Sequence, residues 1–205
     1  MSSRLDQEDE KAGPEAAAPA IVEKALFKSR VVLLTGEVND VQARRVTERL
    51  LALAGDSEDP ITLVVSSPGG HVECGDMIHD IIGFIKPKVN MLGAGWVASA
   101  GALIYCAVPK AQRYCLPNTR FLLHEPRGGI GGMASDIEIQ AREIIRMRER
   151  LNNIFAAATG QPVEQIKKDT DRDNFMAAAD AVSYGLIDKI LESRVEIPGT
   201  VPGKS

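Results

Sequence analysis

Residues 61–70 read Ile-Thr-Leu-Val-Val-Ser-Ser-Pro-Gly-Gly, and this stretch decides the fold class. Ile61–Val65 is a short apolar run with β-branched residues, which suits a strand buried on both faces. Ser66-Ser67-Pro68-Gly69-Gly70 closes it with turn residues. A helical pattern follows, with Val72, Met77, Ile78, Ile81, Ile82 and Ile85 on roughly a 3.6-residue period until Pro87 stops it. A strand buried on both faces that feeds directly into a helix is half of a parallel β-α-β unit.

The same grammar repeats on either side. Val31–Leu34 is a strand ending at Gly36, and Asn39 or Asp40 can cap a helix bearing Val41, Val46, Leu50, Leu51 and Leu53. Val89–Leu92 forms the next strand, and a Gly-rich turn leads into Ser99–Ala107. Phe121–His124 is a further strand before a Gly-rich stretch. Ser135–Glu138 forms a capping box that opens a helix running to Thr159, where Gly160 ends it. At about 25 residues that helix is long for one domain. Its Ile137, Ala141, Ile144, Ile145, Leu151, Ile154 and Phe155 exceed what a small core needs. The expectation is an α/β fold on a parallel sheet with right-handed crossovers.

Length and composition narrow the function. The 205 residues are 44% apolar and 25% charged, an ordinary balance for a single globular domain. A net charge of −4 and 4% aromatics argue against nucleic-acid binding. Residues 1–20 hold five acids and two bases and almost no large apolar group, so they read as a disordered acidic tail. Residues 21–194 hold the domain, and 195–205 read as a flexible end. No apolar run follows an N-terminal basic cluster, so no signal peptide is expected. Three cysteines without a C-x-x-C pair argue against a disulfide framework or zinc. Cytoplasmic residence is the expectation. Met91–Val108 is free of charge but marginal in length for a membrane span and interrupted by Gly93, Gly95, Ser99 and Gly101, so a membrane role is not expected.

Parallel sheets carry their sites at strand carboxyl ends, and three ends here hold chemistry. Gly69-Gly70 lets backbone amides approach a ligand. Gly93-Ala-Gly95-Trp-Val-Ala98 fits G-x-G-x-x-A, yet Lys110–Arg120 lacks the acid a dinucleotide site requires. Ser99, at the helix start among small residues, reads either as an N-cap or as a nucleophile. A base would come from His71, His79 or His124. A metal site from His71, Glu73 and His79 lacks ligand spacing, and no metal or cofactor is expected. The orienting acid is open: Asp169, Asp171, Asp173, Asp180 and Asp188 are not separable by spacing.

The order SSPGG, GWVASAGA, FLLHEP and DTDRDNFMAAADAVSYGLID resembles the proteolytic subunit of the Clp protease (the ClpP family) over about residues 29–193. The resemblance implies a crotonase-like superhelix of repeated β-α-β units with a protruding long-helix handle. It implies a serine endopeptidase with Ser99, His124 and Asp173 as the triad and the Gly70 and Ala100 amides as oxyanion donors. Backbone around His71, Val72, Pro126 and Arg127 would bind an extended peptide. It further implies unfolded-protein or peptide substrates, two stacked heptameric rings and a Clp-type ATPase partner. The sequence departs from the family at three places. Trp96-Val97-Ala98 and Ala100 flank the serine, and Trp96 is expected to narrow the pocket. Thr62 and Val64 stand where aromatic docking residues usually stand. The gate hairpin is not recognisable in residues 1–28. The alternatives are a non-proteolytic subunit of a mixed ring and a crotonase-type acyl-CoA enzyme.

Overall fold

A computed structural model describes residues 14–126, 131–193 and 196–198, with backbone alone for 14–19. Helix α1 spans Pro14–Lys28, followed by β1 (Val31–Thr35), α2 (Asp40–Asp56), β2 (Ile61–Ser67), α3 (Val72–Phe84) and β3 (Val89–Ala98). Then come α4 (Ala100–Tyr105), β4 (Arg113–Cys115) and β5 (Arg120–Leu123). The long α5 (Ala134–Thr159) and short α6 (Val163–Thr170) precede β6 (Asn174–Ala177), α7 (Ala178–Tyr184) and β7 (Lys189–Ile190).

The main sheet is parallel in the order β1-β2-β3-β4-β7. Strand β2 is buried at Ile61, Thr62, Leu63, Val65 and Ser67, as a central parallel strand should be. Asn39 caps α2 by accepting from the Gln42 amide at 3.0 Å. The buried face of α2 is Ala43, Val46, Thr47, Leu50 and Leu53. Val41 (76% exposed) and Leu51 (44%) fall outside it, because the spacing that begins at Ala43 turns them to solvent; on α3 the buried face is Cys74, Gly75, Ile78 and Ile82, which leaves Met77 45% exposed. Leu34, Leu50, Leu63 and Ile78 are fully buried, and truncating any one to Ala costs about 2–5 kcal/mol.

Strand β3 runs further than the sequence suggests. It does not turn at Gly93 but continues to Ala98. The register with β2 slips between Val65↔Gly93 and Ser67↔Val97, and Gly95 takes φ +69° in that slip. Beyond the slip, β5 takes over as the partner, pairing Trp96↔Arg120 through Ala98↔Leu122. The ladder is thus satisfied on both sides, which carries the strand past its glycines. The run Met91–Val108 is therefore strand plus the wholly buried α4. No helix among the described residues is long and apolar enough to cross a membrane.

Three other boundaries differ from expectation. Helix α5 starts at Ala134 with Met133 in the cap position and no side-chain cap, so the box at Ser135–Glu138 does not form. Its buried residues, Leu151, Asn152, Phe155 and Ala156, all lie in the last third, and Ile137, Ile139 and Ile145 stay exposed. Helix α1 reaches back to Pro14 and takes in seven residues of the segment expected to be tail, because Pro at the first turn and Ala16-Ala17-Ala18 favour helix. Residues 1–13 lie outside the described ones. At the other end Ile197 is 4% exposed and packs with Tyr114 and Leu191, and Asn90 Nδ2 donates to the Pro198 carbonyl at 3.1 Å. The expected flexible end therefore contains a packed apolar anchor.

Candidate active site

Ser99 joins β3 to α4 in a single residue. It has φ 54° and ψ −121°, and Arg30 is the only other non-glycine with positive φ among the described residues. A conformation this rare for a side-chain-bearing residue costs on the order of 1–3 kcal/mol and persists only when the surroundings enforce it. They do so here. The Ser99 amide donates to the Leu122 carbonyl at 3.0 Å, and its carbonyl accepts from Ala102 (2.9 Å) and Leu103 (3.1 Å). The side chain makes no cap hydrogen bond, so Ser99 holds the N-cap position without capping the helix.

Gly69 and Gly70 approach closely enough that no side chain is possible at either. A Cβ on Gly69 would lie 2.5 Å from Ser99 Cβ, and one on Gly70 would lie 2.2 Å from the Val38 carbonyl oxygen. Val38 donates to Gly69 O and accepts from the His71 amide, both at 2.8 Å. In that parallel bridge, the N–H and C=O of Gly70 point away from Val38. Ala100, as first residue of α4, likewise has no carbonyl one turn back for its amide. Two amides beside Ser99 thus lack helix or sheet acceptors.

Strand register brings one of the candidate aspartates to His124. Strands β5 and β6 are antiparallel with Leu123↔Asn174 as their last pair. The next residues outward, His124 and Asp173, therefore face each other, and His124 Nδ1 lies 3.1 Å from Asp173 Oδ1. Three of the other candidates are engaged elsewhere. Asp169 accepts from Tyr184 Oη at 2.7 Å and from Gln165 Nε2 at 2.8 Å. Asp171 pairs with Arg148 at 3.3 Å, and Asp180 accepts from the Ala177 amide at 3.2 Å. His79 lies 3.1 Å from Asp80, away from Ser99's strand end.

Ser99 and His124 line one small cavity together with Val72, Ala100, Leu103, Pro126, Leu151 and Phe155. Val72 and Pro126, two of the residues expected to bind peptide, are among its walls. His71 precedes α3 without lining the cavity, and Arg127 lies outside the described residues. Trp96 does not narrow this cavity. It packs at 5.8 Å between centroids against Phe175, with the Arg120 guanidinium 5.4 Å from its ring. The sequence reading missed Leu103, Leu151 and Phe155 as walls. The apolar period of α5 was the available signal, and it was read as surplus surface.

The cysteines do not compete with Ser99 as nucleophile. Burial pushes the Cys74, Cys106 and Cys115 thiols up to about 11, and Cys74 Sγ also donates to Asp40 at 3.1 Å. Among the described residues no group of three His, Cys, Asp or Glu could hold a metal. A larger cavity of about 330 Å³ lies away from Ser99. Leu26, Val31, Thr62, Val64, Leu92 and Leu116 are among the residues that line it.

Comparison with known proteins identifies the family. The Clp protease family model matches residues 15–194. The chain is 58% identical to ATP-dependent Clp protease proteolytic subunit 3 of Rhizobium meliloti over 194 residues, covering 95% of this chain and all of that one. It is 55% identical to ATP-dependent Clp protease proteolytic subunit 2 of Pseudomonas aeruginosa, covering 98% of this chain and 100% of that protein. A solved point mutant of ClpP1 from Listeria monocytogenes superposes with a TM-score of 0.80 at 50% identity, over 85% of this chain and 98% of that one. The chain belongs to the Clp protease family. It has that family's α/β fold and is a serine-type peptidase. Neither a non-proteolytic ring subunit nor an acyl-CoA enzyme is favoured by these relatives.

Proposed function

We propose that the chain cleaves peptide bonds of unfolded proteins and short peptides through Ser99, His124 and Asp173. The observation that carries this reading is the 3.1 Å contact of His124 Nδ1 with Asp173, made by a histidine that shares a cavity with Ser99. His124 Nε2 takes the Ser99 proton as Oγ attacks the carbonyl carbon. Asp173 holds the imidazole in the tautomer that leaves Nε2 as acceptor and stabilises the imidazolium that forms. The oxyanion is received by the Gly70 and Ala100 amides, each such donor worth roughly 3–4 kcal/mol in the transition state. His124 then protonates the leaving amine, and water attacks the acyl-enzyme by the same route.

The substrate lies as an extended strand against the backbone at Gly69–Val72 on one side and at Pro126–Arg127 on the other. Such binding uses main chain and is tolerant of sequence. The subunits stack as two heptameric rings through the exposed apolar part of α5, in the cytoplasm. A Clp-type ATPase feeds them by seating an apolar side chain in the 330 Å³ cavity, where Thr62 and Val64 leave room that aromatic residues would fill.

Fluorophosphonate labelling followed by intact mass tests the reading. One adduct on the wild type and none on Ser99→Ala is the expected result. An adduct count unchanged by Ser99→Ala overturns it.

A further inference from the structure

We propose that Arg150 and Asp76 form a staple at the rim of the peptide cleft that sets how tightly a peptide is bound, as positioning residues rather than catalytic ones. The inference rests on the reading of Ser99 as nucleophile with peptide lying along Gly69–Val72. Val72, the first residue of α3, lines the cavity with Ser99 and His124, and Leu151 and Phe155 line it from α5. Asp76 stands one turn after Val72 on the same side of α3. Arg150 directly precedes Leu151, set about 100° round α5 from it. The two side chains meet fork to fork: Arg150 Nη1 lies 2.6 Å from Asp76 Oδ1, and Nη2 lies 2.6 Å from Oδ2. Among the described residues no other hydrogen bond or ion pair joins α3 to α5.

Exposed ion pairs usually contribute little, but a planar guanidinium that meets both carboxylate oxygens is the exception, because two parallel bonds fix one geometry. The side chains are 45% and 24% exposed, which places the pair between bulk water and the core. Hydrogen bonding to Asp76 raises the Arg150 guanidinium above its ordinary value against the effect of burial, and the charges of Asp76, Asp80 and Glu73 act in the same direction. Three acids one turn apart on α3 thus draw the same cation of α5 toward them. Neither Arg150 nor Asp76 lines the cavity or bonds to Ser99 or His124. The staple therefore serves bound substrate and transition state alike, and its loss falls on KM rather than on kcat.

The test is steady-state cleavage of a short fluorogenic peptide by the full chain, beside labelling with a small fluorophosphonate that has no peptide arm. Arg150→Met and Asp76→Asn should each raise KM about five- to tenfold and move kcat by less than about twofold, the pattern of lost uniform binding. Arg150→Lys keeps the charge but not the fork, so its KM should fall between those of Arg150→Met and the wild type. The double variant Arg150→Met with Asp76→Asn should be no worse than either single one, because each alone already breaks the link. The fluorophosphonate should label every variant at the wild-type rate. Arg150→Lys and Asp76→Asn change shape least and carry the test if Arg150→Met does not fold. An unchanged KM in the single variants overturns this inference alone. So does a double variant whose effect is the product of the two, or a loss that falls on kcat and on fluorophosphonate labelling. No fluorophosphonate labelling of the wild type overturns the peptidase reading and this inference with it.

Discussion

Arg148 spans Glu125 and Asp171: its Nε lies 3.1 Å from Glu125 Oε2, and its Nη2 lies 3.3 Å from Asp171 Oδ1. Glu125 directly follows His124, and Asp171 stands two residues before Asp173. One side chain of α5 thus grips both segments whose register brings the histidine and aspartate together. All three groups are 36–57% exposed, so the pairs add little to global stability, about 0.2–1 kcal/mol each. Their effect is on alignment. Arg148→Met, which keeps most of the stem, should lower turnover by roughly two- to fivefold while shifting the unfolding free energy by no more than about 1 kcal/mol. Peptide turnover measured beside thermal melting separates the two, and an unchanged turnover refutes the link.

The aspartates should differ sharply in consequence. Asp173→Asn should lose roughly 10⁴-fold in turnover by presenting the wrong histidine tautomer, with the fold intact. Asp169→Asn and Asp171→Asn should keep most of their activity, because their partners are Tyr184 and Arg148 rather than His124. Equal damage from Asp171→Asn would undo the assignment of Asp173.

The backbone at Ser99 carries its own prediction. At φ 54° and ψ −121°, glycine is comfortable and alanine is not. Ser99→Gly should therefore be more stable than Ser99→Ala by about 1 kcal/mol, the reverse of the usual order within helices. Both variants should be inactive. Chemical denaturation of the pair decides it, and a more stable alanine variant would show that the strain is not there.

The seam between α1 and α2 should loosen in acid. Hydrogen bonding from Arg45, aided by the charge of Arg49, holds the Glu23 carboxyl below the ordinary glutamate value, against a smaller upward effect of burial. A carboxylate whose pKa falls on folding stabilises the native state above its unfolded pKa, and that stability is lost as pH drops through the folded value. Amide exchange in the described part of α1 should therefore quicken, relative to the core, as pH falls below the glutamate range. Glu23→Gln should show the faster exchange already at neutral pH. If Glu23→Gln matches the wild type at neutral pH, the pair does not dock the helix.

Much of this was legible in residues 61–70, because an apolar strand running straight into a capped helix has few other homes than a parallel sheet. The Asn39 cap and the end at Gly160 were equally local and equally readable. What stayed hidden was set by partners distant in the chain. Strand β3 passes Gly93 only because β2 and β4 bond to it there and β5 beyond it, and none of these can be seen from the glycines themselves. The choice of Asp173 over Asp171 depends on an antiparallel register between segments some fifty residues apart, which spacing does not encode. The resemblance to a family implies Asp173, and the register sets that residue opposite His124. In the sequence Phe155 is only one apolar position of α5, because a long apolar helix reads as surface for assembly until its last third is seen to line a cavity with Ser99.

Ile197, buried against Tyr114 and Leu191, also lines the 330 Å³ cavity with Leu191, Glu192 and Ser193. Residues 196–198 are therefore masonry rather than trailing thread. Cutting the chain back to residue 193 would remove a stone from that wall and free the Asn90 amide that Pro198 now holds. Whoever attaches a label or a fusion partner to this protein should leave 196–198 in place and build outward from there, since the shape of the cavity depends on them.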